Sequence, residues 1–205
     1  MAPAKNNDLH GSAPEKCPAA LLMIDVINDL EFDGGEKLLE HGLPMAHNLA
    51  AFAKRARAAG IPVIYVNDNF GKWRSDFRMQ LEHCQIDGAR GKPIVELLVP
   101  DKDDYFVLKP KHSAFFATTL ETLLDYLETK MVIITGLATD SCVLFTASDA
   151  HMRDLFLVVP EDCVAAQTLE EHEQALDLMR RKCDADTTES ASLDLDQLLR
   201  KMTDT

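Results

Sequence analysis

No stretch of the 205-residue chain approaches the roughly 18 consecutive apolar residues that a membrane-spanning helix needs. The first sixteen residues, MAPAKNNDLHGSAPEK, also lack the apolar core of a secretory signal, so a cytoplasmic protein that does not engage membranes is expected. Positive charge is scarce as well. Lys and Arg number 21 against 34 Asp and Glu, and the net charge of -13 repels phosphate backbones and anionic lipid surfaces, which excludes nucleic acid as a partner. The five cysteines (Cys17, Cys84, Cys142, Cys163, Cys183) form neither a CxxC pair nor a cluster, and the seven histidines show no ligand spacing. Neither a metal nor any other cofactor is expected, and every thiol is expected to be free in a reducing compartment. Internal repeats and low-complexity tracts are absent too.

What remains is ordinary for a globular protein: 46% hydrophobic and 27% charged residues, enough for one well-buried core. A polar arm over residues 1–16 is expected to be disordered, followed by a single domain over 17–205. AALLMID (19–25) and VIYV (63–66) are continuous apolar runs, as strands covered on both faces are. Between them, Met45, Leu49, Phe52, Ala53 and Ala56 recur at helical spacing, from a start at Pro44 to a stop at Gly60. YFVLK (105–109), the amphipathic TTLETLLDYLE (118–128) and MVIITG (131–136) repeat the alternation. A helix over about 141–153, LFLVV (155–159), a helix over about 169–183 and a short strand near 185–188 continue it. Strands alternating with helices specify an α/β fold: a three-layer sandwich around a mostly parallel, doubly wound, Rossmann-like sheet.

In such sheets the reactive site lies beyond the carboxyl ends of the strands. Asp25 ends the first strand, Lys109 ends the third, and Cys142 follows the fourth through the turn GLATDS. The three can meet provided the first, third and fourth strands are neighbours. With Asp140 or Ser141 as helix cap, Cys142 would lie in a first turn whose dipole favours a low-pKa thiolate. Asp25 would take and return its proton, and Lys109 would supply a fixed positive charge. Singly, each residue has a plainer reading: a packed thiol, an Asx-turn residue, a solvated lysine beside Lys111.

Together, ALLMIDVINDL, VLKPKHSAFFATTLETLL and ITGLATDSCVLFTASDA resemble the aspartate strand, lysine segment and cysteine elbow of the isochorismatase-like cysteine hydrolases. That family includes nicotinamidases, N-carbamoylsarcosine amidohydrolase and streptothricin hydrolase, and the resemblance runs from about residue 18 to 190. It implies an isochorismatase-like fold and a catalytic triad of Asp25, Lys109 and Cys142. It also implies a cis peptide between Leu137 and Ala138 that aims the Ala138 N–H, beside that of Cys142, into an oxyanion hole. The implied activity is a cysteine-dependent amidohydrolase cleaving a C–N bond of a small amide, lactam or ureido substrate, with Asp25 also activating the water that hydrolyses the thioester. Assembly as a homo-oligomer, a dimer or tetramer, is implied as well. Two alternatives stay open: hydrolysis of a vinyl ether without use of the cysteine, and a non-catalytic binding protein on the same fold.

The sequence departs from the family pattern in places. Ile27 stands where a glutamine is usual and Leu30 where an aromatic is, so Leu30 is a candidate for the pocket wall. Asp68, Asn69 and Phe70 occupy the positions of the nicotinamidase Asp-x-His metal motif, which lacks its histidine here. Trp73 and Arg74, in the loop NDNFGKWRSDF, and His112, where the family often has Tyr, complete the candidate substrate-binding residues.

Overall fold

The computed structural model describes residues 15–71 and 76–203. Most of the arm expected over residues 1–16 therefore lies outside the described residues, as do Trp73 and Arg74. The sheet consists of β1 (Ala19–Ile24), β2 (Val63–Asp68), β3 (Tyr105–Lys109), β4 (Met131–Leu137), β5 (Phe156–Val158) and the two-residue β6 (Val164–Ala165). Its order is β3-β2-β1-β4-β5, all pairs are parallel, and β6 pairs with the end of β4.

Seven α-helices accompany the sheet among the described residues: α1 (Gly35–Ala58), α2 (Phe77–Cys84), α3 (Lys92–Leu97), α4 (Leu120–Leu127), α5 (Leu144–His151), α6 (Leu169–Cys183) and α7 (Leu195–Thr203). Side chains of successive strand residues point to opposite faces, so β1 feeds two cores. Leu21 and Met23 join a cluster with Met45, Leu49 and Phe52 of α1 and Leu195 and Met202 of α7. Ala20, Leu22 and Ile24 join another with Leu124 of α4, Ala147 of α5 and Met179 of α6. Both faces of β1 are buried, which is why its sequence reads as one apolar run.

Four expectations are corrected. First, α1 begins at Gly35, nine residues before Pro44, which lies inside it. Burial of Leu38 and Gly42 on the same face as Met45 holds the helix through the proline. Second, β2 lies between β1 and β3, so the first and third strands are not neighbours. Third, the strand expected near 185–188 is a single parallel bridge between Asp186 and Val158. Fourth, the helix expected from Ser141 opens instead as a π-helical turn over Thr139–Val143 before α5 begins.

Candidate active site

Asp25 follows β1 directly, its N–H extending the ladder to the carbonyl of Val66 on β2. Its backbone is left-handed (φ 51°), which turns the chain sharply at the sheet edge. Oδ1 accepts the N–H of Asp68 at 2.7 Å and Oδ2 meets Lys109 Nζ at 2.8 Å. Lys109 stands opposite Asp68 in the β2–β3 register, so its side chain reaches Asp25 by crossing the end of β2. Its Nζ also donates to the carbonyl of Lys111 at 3.1 Å and lies 3.3 Å from Cys142 Sγ, with Asp68 Oδ2 at 3.9 Å. The lysine side chain is fully buried.

Cys142 reaches this point because β4 runs close against β1. Gly136 pairs with Ile24, and a Cβ there would sit 2.1 Å from the Ile24 carbonyl oxygen, at a φ of 104° that side chains rarely adopt. The next peptide bond but one, Leu137–Ala138, is cis, as the resemblance implied. The π-helical turn follows, opened by Val143 N–H donating to the Ala138 carbonyl, with Cys142 in its first turn. Ala138 is the cap residue and no side chain caps the turn, contrary to the roles expected of Asp140 and Ser141. The Asp25 charge also acts on the Cys142 thiol.

The electrostatics correct the expected thiolate. Burial, then the charge of Asp25, push the Cys142 thiol up to about 12, and Lys109 only partly offsets them. Burial also raises the Asp25 carboxyl against the opposing pull of Lys109 and its hydrogen bonds. Burial draws the Lys109 ammonium down, but Asp25, Cys142 and Asp68 outweigh it and leave the group above its usual range. These shifts favour a thiol at rest beside the Asp25–Lys109 contact, so attack requires transfer of the thiol proton.

The sulfur opens onto a cavity of about 460 Å³ lined by Asp25, Ala138 and His112, among others. His112 Nδ1 lies 3.7 Å from Sγ and 3.4 Å from Ser141 Oγ, and its ring stacks on Phe145. Leu30 is a correction: it belongs to the core packed against α1, at 1% exposure, and does not line the cavity. An Asx turn, in which the Leu30 N–H donates to Asn28 Oδ1, and a left-handed φ of 56° rotate it inward. Phe32, two residues on, takes the wall position, facing Phe70 and Gln167 among the other lining groups. Nothing in the sequence marks Phe32, Gln167 and Glu171 as lining the cavity, whereas Asp68 and Phe70 belong to the motif compared with the nicotinamidase metal site. Asp68 carried a second signal, as the last residue of a strand at the reactive edge. At the Asp68-Asn69-Phe70 motif, Phe70 offers no donor and Asn69 Oδ1 accepts the N–H of Gly71, so these residues do not fit a metal site.

The isochorismatase domain model matches residues 19–192. The chain belongs to the isochorismatase family. YaaI of Bacillus subtilis (strain 168), an uncharacterized isochorismatase family protein, is 40% identical over 173 residues, which cover 84% of this chain and 94% of that one. A probable inactive nicotinamidase of Arabidopsis thaliana is 31% identical over 163 residues, 75% of this chain and 83% of its own. Among solved structures, N-carbamoylsarcosine amidase from Thermoplasma acidophilum superimposes with a TM-score of 0.66 at 25% identity, covering 86% of this chain and 98% of that one. Among the described residues of this isochorismatase-family hydrolase, no helix is long and apolar enough to cross a membrane.

Proposed function

We propose that the protein is a cysteine-dependent amidohydrolase that cleaves the C–N bond of a small amide, lactam or ureido compound through a thioester on Cys142. The observation that carries this reading is one buried ammonium group, Lys109 Nζ, in contact with both Asp25 and Cys142, the two residues of the three that line the cavity. The kinship with N-carbamoylsarcosine amidase supports the choice of bond.

In the acylation half, Asp25 takes the thiol proton as sulfur bonds to the substrate carbonyl carbon. The oxyanion so formed is held by the N–H groups of Ala138 and Cys142. Asp25 then gives its proton to the departing nitrogen, the C–N bond breaks, and the acyl group remains on sulfur. A buried carboxyl with raised proton affinity suits both steps, because it accepts a proton readily and still releases it to an amine. Lys109 holds the charge of whichever neighbour is anionic.

The test is a panel of small amides and ureido compounds with the Cys142→Ala and Cys142→Ser variants. Both should fold and lose turnover, and intact-protein mass spectra of the parent should show an acyl adduct that neither variant forms. Full activity of Cys142→Ala sinks the reading, and activity surviving alkylation of Cys142 favours vinyl ether hydrolysis. The inactive status in the name of the Arabidopsis relative favours a second reading, a binding protein without turnover. Tight binding of an amide that is never cleaved would select it.

A further inference from the structure

Two proton transfers follow acylation: the attacking water must lose one and the sulfur must regain one. Asp25 is poorly placed for the first. Its Oδ1 is held by the Asp68 N–H at 2.7 Å, its Oδ2 by Lys109 Nζ at 2.8 Å, and the residue is only 6% exposed. Lys109 lies on the buried side of the sulfur, and Asp25 reaches the cavity wall with both oxygens already engaged. On the cavity side, from which water arrives, His112 lies beside the sulfur.

His112 is exposed, lines the cavity, and presents Nδ1 3.7 Å from Sγ. Its ring is held by stacking on Phe145, with centroids 5.6 Å apart, and by Ser141 Oγ at 3.4 Å. Phe145 and Ser141 flank Cys142 on one elbow, so imidazole and sulfur are positioned by the same short segment. A base at this distance reaches a water that is itself in contact with a carbonyl carbon bonded to the sulfur.

We propose that His112 is a second proton carrier, which divides the reaction between two bases: Asp25 serves acylation and His112 serves hydrolysis of the thioester. The inference rests on the amidohydrolase reading above. The neutral ring takes a proton from water as the water oxygen bonds to the acyl carbon. The C–S bond then breaks, the acid leaves, and Nδ1 returns the proton to Sγ, restoring the thiol and the neutral imidazole. Water is the only co-reactant. The charged groups that share the cavity with His112 or stand behind the sulfur are Asp25, Asp68, Asp140, Glu171 and Lys109.

The probe is p-nitrophenyl acetate, whose phenolate leaves without a proton and so isolates the second half-reaction. His112→Gln and His112→Phe, the latter keeping a ring to stack on Phe145, should release one equivalent of nitrophenolate in a burst at the parental rate. Turnover should then slow by about 100-fold, in the range that removal of a general base produces. The acetyl thioester should accumulate in intact-protein mass spectra, and the deacylation pH profile should lose one of its limbs. Deacylation at the parental rate and pH dependence in both variants would overturn the proposal. So would loss of the burst in variants that retain the parental circular dichroism spectrum, because that result places His112 in acylation. Failure of the parent protein to form any acetyl adduct overturns the amidohydrolase reading itself, which keeps the two failures distinct.

Discussion

Lys109 Nζ lies 2.8 Å from Asp25 Oδ2 although β2 separates the strands that carry them. A short residue at the end of β1 and a long one at the end of β3 close that gap over the end of β2, whose own last residue, Asp68, donates its N–H to the same carboxylate. The pair is buried, so neither charge is tolerable without the other.

Lys109→Met should therefore be costly in a pH-dependent way. Removing one partner of a buried pair costs about 3–5 kcal/mol, unless the orphaned carboxyl takes up a proton. Asp25 is already raised by burial, and losing Lys109 lifts it further. A carboxyl whose folded pKa exceeds its unfolded value favours the folded state below the unfolded pKa, and that advantage is lost as pH rises through the folded pKa. Urea unfolding should show the penalty relative to the parent to be larger at pH 8 than at pH 5. An equal penalty at both would mean that Asp25 does not depend on this lysine.

Asp25→Asn gives a less obvious expectation. After burial, the Asp25 charge is the largest influence raising the Cys142 thiol. The variant should lose turnover yet react faster with iodoacetamide at pH 8, since the thiolate is the reactive form. Its alkylation curve should shift to lower pH than that of the parent, whose thiol lies at about 12. The Lys109→Met curve should shift the other way. Slower alkylation of Asp25→Asn than of the parent would mean that the carboxylate activates the sulfur at rest.

The strands were legible in the sequence because runs such as AALLMI are buried on both faces, and the three chemical groups were legible because each closes or follows such a run. Strand order was not, since nothing local to Lys109 says which strand stands beside it. The thiol's proton affinity was hidden for a related reason. A first-turn cysteine reads as activated, but burial and an anion 117 residues away in sequence outweigh the turn. The wall of the cavity was misread through one backbone angle: an isolated leucine gives no sign that it will adopt a left-handed conformation.

That misreading yields a paired test. Leu30→Ala empties a core position and should cost about 2–5 kcal/mol of stability with little change in KM for the folded fraction. Phe32→Ala, at a position 43% exposed on the cavity wall, should raise KM while leaving the melting temperature nearly unchanged. Denaturant melts and steady-state kinetics on the same preparations separate the two. If Leu30→Ala instead raised KM at parental stability, the leucine would belong to the wall after all.

Gly136→Ala probes how closely β4 must pass β1. The added methyl would meet the Ile24 carbonyl oxygen at 2.1 Å, and that atom is backbone at the end of the β1–β4 ladder, so it cannot swing aside as a side chain would. The positive φ adds strain of its own, about 1–3 kcal/mol for a residue forced into a sparsely populated region. Relief requires the strands to separate just where one leads into Asp25 and the other into the Cys142 elbow. The variant should melt well below the parent, and the fraction that still folds should lose the Asp25–Cys142 proximity on which turnover depends. Thermal melts with activity normalised to folded protein measure both effects. A soluble Gly136→Ala protein with parental melting and parental turnover would show that the close passage of β4 against β1 is not what positions the sulfur.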